Sequence, residues 1–270
     1  MQQLIYFIQK YKYFLFFLLL QIVGFTLTIN NHSYHKSKFI SSANTITGGV
    51  YEKKSNLKNY LNLKDENQIL IQENLTLKNK LSKLEYFLDS IYTKTAVDTN
   101  NFNQQFKYID GKINKNEFHK PYNYLTINRG LKHGVNKEMA VINDKGIIGI
   151  TDASSNNYSR VRSILNRNSK VNARLKSSPY FGSLSWDGED YNTVQLLDIP
   201  REAKINIGDT IMTGGNSTIF PKGILIGTVT DKTNGINIKL FNDMSNLENI
   251  YIIKNFHQKE IKALENVNNE

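Results

Sequence analysis

Cysteine is absent from the chain, which excludes a disulfide framework, a thiolate metal site and a cysteine nucleophile. Proline is scarce, with 4 in 270 residues, and neither proline nor glycine falls between Val50 and Ala96. That stretch is free to form one continuous helix. Acidic residues are missing from residues 1–50, where four lysines give +4; residues 51–95 carry +2 and residues 96–270 carry +4. Near balance in the largest segment excludes the concentrated basic face of a nucleic-acid binder. No G-x-x-x-x-G-K-[ST] phosphate loop occurs, so nucleotide turnover and a bound cofactor have no support. With 40% hydrophobic and 21% charged residues, the chain can bury a core.

One uncharged run stands near the start. Tyr13 to Ile29 reads YFLFFLLLQIVGFTLTI, about 25 Å of helix at 1.5 Å per residue, the short end of a membrane span. A buried core helix would show a polar stripe, and a cleaved signal would end in a small-x-small site. Neither is present: Asn30, Asn31, His32, Ser33 and Tyr34 follow. The expectation is an uncleaved single-pass helix over 13–29, after a short cytoplasmic head, 1–12. Lys10 and Lys12 abut the run and favour an inside N-terminus, leaving the bulk outside the cytoplasm.

After a polar linker, 30–50, the period becomes seven. Leu63, Leu70, Leu77, Leu84 and Ile91 occupy d positions, and Tyr60, Asn67, Asn74, Leu81 and Leu88 occupy a positions. Sustained heptads predict a coiled coil over 51–95, and asparagine at a favours a register-fixed parallel pair. The expected state is a homodimer, with membrane tethering raising the local concentration of a seam weakened by two asparagines.

From about residue 96 the period becomes two. Tyr124–Asn128 reads as a strand. Glu138–Asn143 with Ile147–Thr151, Phe181–Trp186 with Val194–Leu197, and Ile224–Thr230 with Ile236–Phe241 read as hairpins around Gly-containing turns. Val171, Ala173 and Leu175 alternate with polar neighbours. The predicted class is mainly β: two small barrels over 96–253, their mutual boundary unassigned, behind a long N-terminal helix. A polar tail, 254–270, is expected to fray.

These residues carry a resemblance. Leu125–Gly130 (LTINRG), Gly134-Val135, Met139–Val141, Gly146–Gly149 (GIIG), Ser159–Val161, Gly208–Gly215 (GDTIMTGG), Ile219–Ile224 (IFPKGI) and Ile226–Val229 together resemble the rod shape-determining protein MreC family. The resemblance marks Asn128, Gly130, Gly134, Gly208, Asp209, Thr213, Gly214, Phe220, Pro221, Gly223 and Gly227 as a structural motif. It implies a non-catalytic inner-membrane scaffold with periplasmic barrels. It further implies that the scaffold organises peptidoglycan synthesis with class B penicillin-binding protein, RodA, MreD and MreB, maintaining rod shape.

Three other readings compete on the residues. A serine hydrolase would need Ser217, His119 or His133, and Asp209 to meet, and their spacing matches no nucleophile motif. The five histidines, His32, His35, His119, His133 and His257, lack metal-ligand spacing with acids. A periplasmic adaptor of an efflux or secretion complex also combines anchor, coiled coil and β domains, but usually as an antiparallel helical hairpin.

Overall fold

The computed structural model describes residues 2–31, 62–88, 104–233 and 235–267. Internal contacts divide the chain into two units, Met1–Gln68 and Ile69–Glu270. The first holds α1 (Gln2–Lys10) and α2 (Lys12–Asn31). Phe14, Phe16, Ile22 and Phe25 of α2 are all exposed, because the run is apolar around its whole circumference instead of along one stripe. Among the described residues no helix is long and apolar enough to cross a membrane. The described side chains of α2 end at Leu27, so Thr28 and Ile29 of the expected span lie outside them. The linker lies outside the described residues from residue 32 onward.

Helix α3 covers 62–88; Tyr60 and Ile91 of the expected seam, and the remainder of 51–95, lie outside the described residues. The strands follow in chain order: β1 (Phe106–Asn116), β2 (Tyr122–Ile127), β3 (Ala140–Ile142), β4 (Ile147–Ser154), β5 (Ser159–Asn166), β6 (Val171–Leu175), β7 (Phe181–Ser185), β8 (Thr193–Leu197), β9 (Thr210–Thr213), β10 (Leu225–Asp231), β11 (Ile236–Leu240) and β12 (Asn249–Asn255). They close into two antiparallel barrels of six strands, ordered β1-β12-β3-β4-β5-β2 and β10-β11-β8-β7-β6-β9.

The second barrel is therefore an insertion. It occupies a continuous stretch between β5 and β12, and the chain returns to complete the first barrel last. Period-2 alternation fills both interiors: Leu125, Ile127, Val161 and Ile252 in the first, Val171, Leu175, Ile211 and Ile238 in the second. Asparagine amides tie the first barrel to the β11–β12 connection and to the β9–β10 loop. Asn242 Nδ2 donates to the Ile147 carbonyl at 2.9 Å, Asn116 Nδ2 to Met244 at 2.8 Å, and Asn255 Nδ2 to Thr218 at 2.9 Å.

Residues 254–267 take up regular structure where fraying was expected. β12 runs on to Asn255 and α4 (Gln258–Val267) follows. Glu138, at φ 64°, anchors it: Gln258 Nε2 donates to the Glu138 carbonyl at 2.8 Å, and Lys262 pairs with the Glu138 carboxylate. These partners lie far away in sequence, so the local polarity of the tail did not reveal them.

Candidate functional site: the stalk helix and the first barrel

Helix α3 presents two stripes. The heptad leucines Leu63, Leu70, Leu77, Leu81, Leu84 and Leu88 are 50–62% exposed, and Asn67 and Asn74 are exposed beside them. All eight share one face. A second stripe, Ile71, Leu75, Lys78, Asn79, Ser82 and Tyr86, is withdrawn from solvent. At 100° per residue it lies roughly 120° around the helix from the first. Ile71 and Leu75 pack on the hydrophobic core. The Lys78 ammonium stands 5.7 Å from the Tyr108 ring centroid and 5.4 Å from that of Tyr251, a cation–π arrangement that also lays the lysine stem along the barrel.

The polar members of that stripe meet the backbone of β1. Tyr108 N–H donates to Asn79 Oδ1 at 2.9 Å, Asn79 Nδ2 donates to the Tyr108 carbonyl at 3.3 Å, and Ser82 Oγ donates to the Phe106 carbonyl at 2.8 Å. β1 pairs with β12 along Phe106–Lys112 but with β2 only along Ile113–Asn116. Its other edge over residues 106–110 therefore faces α3 and Arg129 instead of a strand. Arg129 Nε donates to the Asp110 carbonyl and Nη2 pairs with Asp110 Oδ2, both at 2.8 Å. The strand edge near Arg129 is thus occupied within the chain.

Burial beside α3 pushes the Tyr108 phenol up from 10.0 to about 12, and the Glu85 carboxylate adds to the shift. The folded chain thus favours the neutral phenol. Stability from this group is intact below pH 10, the unfolded value, and is lost as pH rises through about 12. Tyrosinate absorbance is expected to show a late-titrating component, to which Tyr251, also pushed up by burial, contributes; Tyr108→Phe should reduce it by one tyrosine, and that variant should lose less stability between pH 10 and 12 than the parent.

The motif residues build turns and close approaches. Asn128 N–H donates to the Lys112 carbonyl at 3.0 Å while its Oδ1 accepts from Lys112 N–H at 2.7 Å, which continues the β1–β2 seam. A Cβ on Gly130 would sit 2.2 Å from the Ser155 carbonyl oxygen, one on Gly214 2.0 Å from Asn172 Oδ1, and one on Gly227 2.1 Å from the Lys239 carbonyl oxygen. Gly134, Gly208 and Gly223 take φ of 77°, 92° and 93°, which L side chains resist. Asp209 Oδ2 accepts from Asn206 N–H at 2.8 Å. Thr213 Oγ1 donates to the Pro221 carbonyl at 2.6 Å and accepts from Ile224 N–H at 2.9 Å, bracing the β9–β10 loop above buried Phe220.

Gly214, Phe220, Pro221 and Gly223 come together on one wall of an open cleft of about 920 Å³; α3 forms another wall through Leu81 and Leu88. Ser217 and His133 hold local backbone and do not form a hydrolytic site. Ser217 Oγ accepts from Ile219 N–H at 3.1 Å, and His133 Nδ1 accepts from Gly130 N–H at 3.2 Å. His119 lies 3.8 Å from the Phe118 ring. Among the described residues no cluster of His, Asp and Glu is arranged to hold a metal.

The model of the family "Rod shape-determining protein MreC, barrel core" matches residues 113–254, from within β1 to within β12 and so across both barrels. The chain belongs to the MreC family. Cell shape-determining proteins MreC of Geobacillus stearothermophilus and Bacillus subtilis (strain 168) are each 31% identical over 146 residues, 48% of this chain and 50% of theirs. The chain spans about half the length of these curated relatives. Among solved structures, MreC of Listeria monocytogenes matches at a TM-score of 0.53 and 22% identity, over 70% of this chain and 96% of that one. The major periplasmic domain of the cell shape-determining filament MreC matches at 0.50 and 22%, over 56% and 99%. These likenesses establish the two-barrel MreC fold.

Asn79 and Ser82 lie outside the leucine heptad and are not marked by it. The signal was a second helical series, Ile71, Leu75, Asn79, Ser82 and Tyr86, spaced by three or four residues.

Proposed function

We propose that this MreC-family chain is a non-catalytic, membrane-anchored scaffold of cell-wall elongation. Two chains pair along α3, and their barrels engage a class B penicillin-binding protein together with RodA, MreD and the filament MreB. The supporting observation is the division of labour on α3. One stripe is committed to the first barrel, and six leucines of the other stripe stay exposed in a single chain. A row of exposed leucines at heptad spacing is unfavourable in water unless a partner helix covers it. Tyr60, Leu63, Asn67, Leu70, Asn74, Leu77, Leu81, Leu84, Leu88 and Ile91 form the proposed seam.

The anchor rests on α2. Apart from half-buried Leu15, its phenylalanines and leucines are exposed around the helix, a surface suited to hydrocarbon, and Lys10 and Lys12 favour a cytoplasmic N-terminus. The barrels then lie outside the cytoplasmic membrane. The efflux-adaptor reading is less favoured, because among the described residues one stalk helix, α3, stands between the apolar segment and the barrels where an adaptor would carry a helical hairpin.

Affinity capture of the tagged full chain from detergent-solubilised membranes of its own cells tests the scaffold role. Enrichment of a class B transpeptidase over an untagged control is the expected result. Enrichment of pump or secretion subunits instead, with no wall synthase, would give the adaptor reading the lead.

A further inference from the structure

The strands of the first barrel pair in a closed ring, and along the outer edge of β1 over residues 106–110 side chains take the place of a strand. A backbone N–H only donates and a carbonyl only accepts, so the Asn79 amide has one orientation that satisfies both groups of Tyr108. It adopts that orientation, accepting at 2.9 Å and donating at 3.3 Å. One residue of a neighbouring strand would make the same two bonds. Ser82 repeats the device one turn on, at the Phe106 carbonyl, and Arg129 completes it at Asp110.

We propose that α3 is a surrogate strand of the first barrel and that Asn79 is the latch fixing the direction in which the stalk leaves the head. Helices packed only through apolar side chains can slide or swivel, since dispersion and burial are non-directional. Hydrogen bonds to a specified backbone residue are directional, and they allow one helix position along β1. Ile71 and Leu75 supply adhesion; Asn79 and Ser82 supply register. The latch lies within one chain and on the face away from the leucine seam, so it holds whether or not two chains pair. If they do pair, it makes each head a rigid extension of the shared stalk.

The absence of native cysteine allows paired spin labels on the full chain at Lys83→Cys of α3 and Lys170→Cys of the head, both exposed in the parent. Excess unlabelled chain restricts the measurement to distances within one molecule. The parent is expected to give one narrow distance. Asn79→Leu, similar in size but unable to bond the backbone, should broaden it and speed amide exchange at Tyr108 about tenfold, in line with a lost intramolecular hydrogen bond. Exchange at Ile250–Ile253 should change less than about twofold, since those amides lie on the far side of β1. Asn79→Asp keeps the acceptor and loses the donor, so it should fall between. An unchanged narrow distance and unchanged Tyr108 exchange in Asn79→Leu would overturn the latch. Loss of protection at Ile250–Ile253 together with Tyr108 would also overturn it, because Asn79 would then serve the global fold rather than a separable hinge. Ser82→Ala, alone and combined with Asn79→Leu, repeats the test at the second bond.

Discussion

Gly149→Ala will unfold the first barrel and leave the second intact, whereas Gly227→Ala will damage both. Gly149 lies on β4 opposite Ser163 of β5, where an added Cβ would stand 2.3 Å from the Arg162 carbonyl oxygen and 2.9 Å from Val161 Cγ1. Backbone on a barrel wall cannot yield as a flexible side chain would. The cost is therefore expected to exceed about 3 kcal/mol, a large part of the usual stability of a domain. The second barrel is a continuous stretch closed by its own strand pairs, so it does not need β12. Trp186, the single tryptophan, reports on it: the indole is 3% exposed and donates to the Asp190 carbonyl at 2.8 Å. In Gly149→Ala, Trp186 fluorescence should remain native while amide protection in β2–β5 collapses.

Gly227 behaves differently because of topology. Its Cβ would stand 2.1 Å from the Lys239 carbonyl oxygen on the neighbouring strand, so Trp186 becomes solvated. The stretch Val171–Leu240 then turns into an unstructured loop between β5 and β12. Closing a loop of some 70 residues costs about 3–4 kcal/mol. That loss falls on the first barrel, although it contains no lesion. Urea titrations followed separately by Trp186 fluorescence and by exchange in β3 and β12 will separate the two cases. Equal loss of both barrels in Gly149→Ala would show that the inserted barrel depends on its host.

The same insertion explains what the sequence could reveal. The hairpins β3–β4, β7–β8 and β10–β11 were legible because turn residues such as Asp144-Lys145-Gly146 and Asp187-Gly188 separate period-2 segments. β1 was not: FKYIDGKINKN carries lysines, an aspartate and a mid-strand glycine, and half its outer edge is satisfied by side chains instead of a strand. β12, NIYIIKN, is buried at four consecutive residues, so it shows no alternation. The barrel boundary was unreadable in principle, since the strand that completes the first barrel comes after the second. The motif glycines at 130, 208, 223 and 227 answer backbone requirements, since turns and close approach act through φ and the absence of a Cβ. The heptad stripe was visible in the leucines. The docking stripe was hidden, because its decisive members hydrogen-bond and so leave no hydrophobic period.

Leu77→Asp combined with Leu84→Asp will convert the proposed dimer to monomer without disturbing either barrel. Both leucines are d positions and are exposed in the single chain, at 62% and 59%; neither touches the stripe of Asn79 and Ser82. Four leucines are lost from each pair of chains. At about 1.5–3 kcal/mol per buried leucine, some 6–12 kcal/mol of apolar stabilisation goes with them. Like charges then face each other across the seam. The dissociation constant should rise by more than about 10⁴-fold, which sedimentation of the full chain in detergent will read directly. Trp186 fluorescence and Tyr108 exchange should stay at parental values, because the second stripe alone holds α3 to its own barrel. Asn67→Leu with Asn74→Leu acts in the opposite direction. Removing the paired amides strengthens the seam but relaxes its register, so tighter association with species larger than dimers is expected. Persistence of dimers in the double aspartate variant would move the contact away from the heptad. The wall of the open cleft built by Gly214, Phe220 and Pro221, which lies outside the seam, would then be the next surface to mutate.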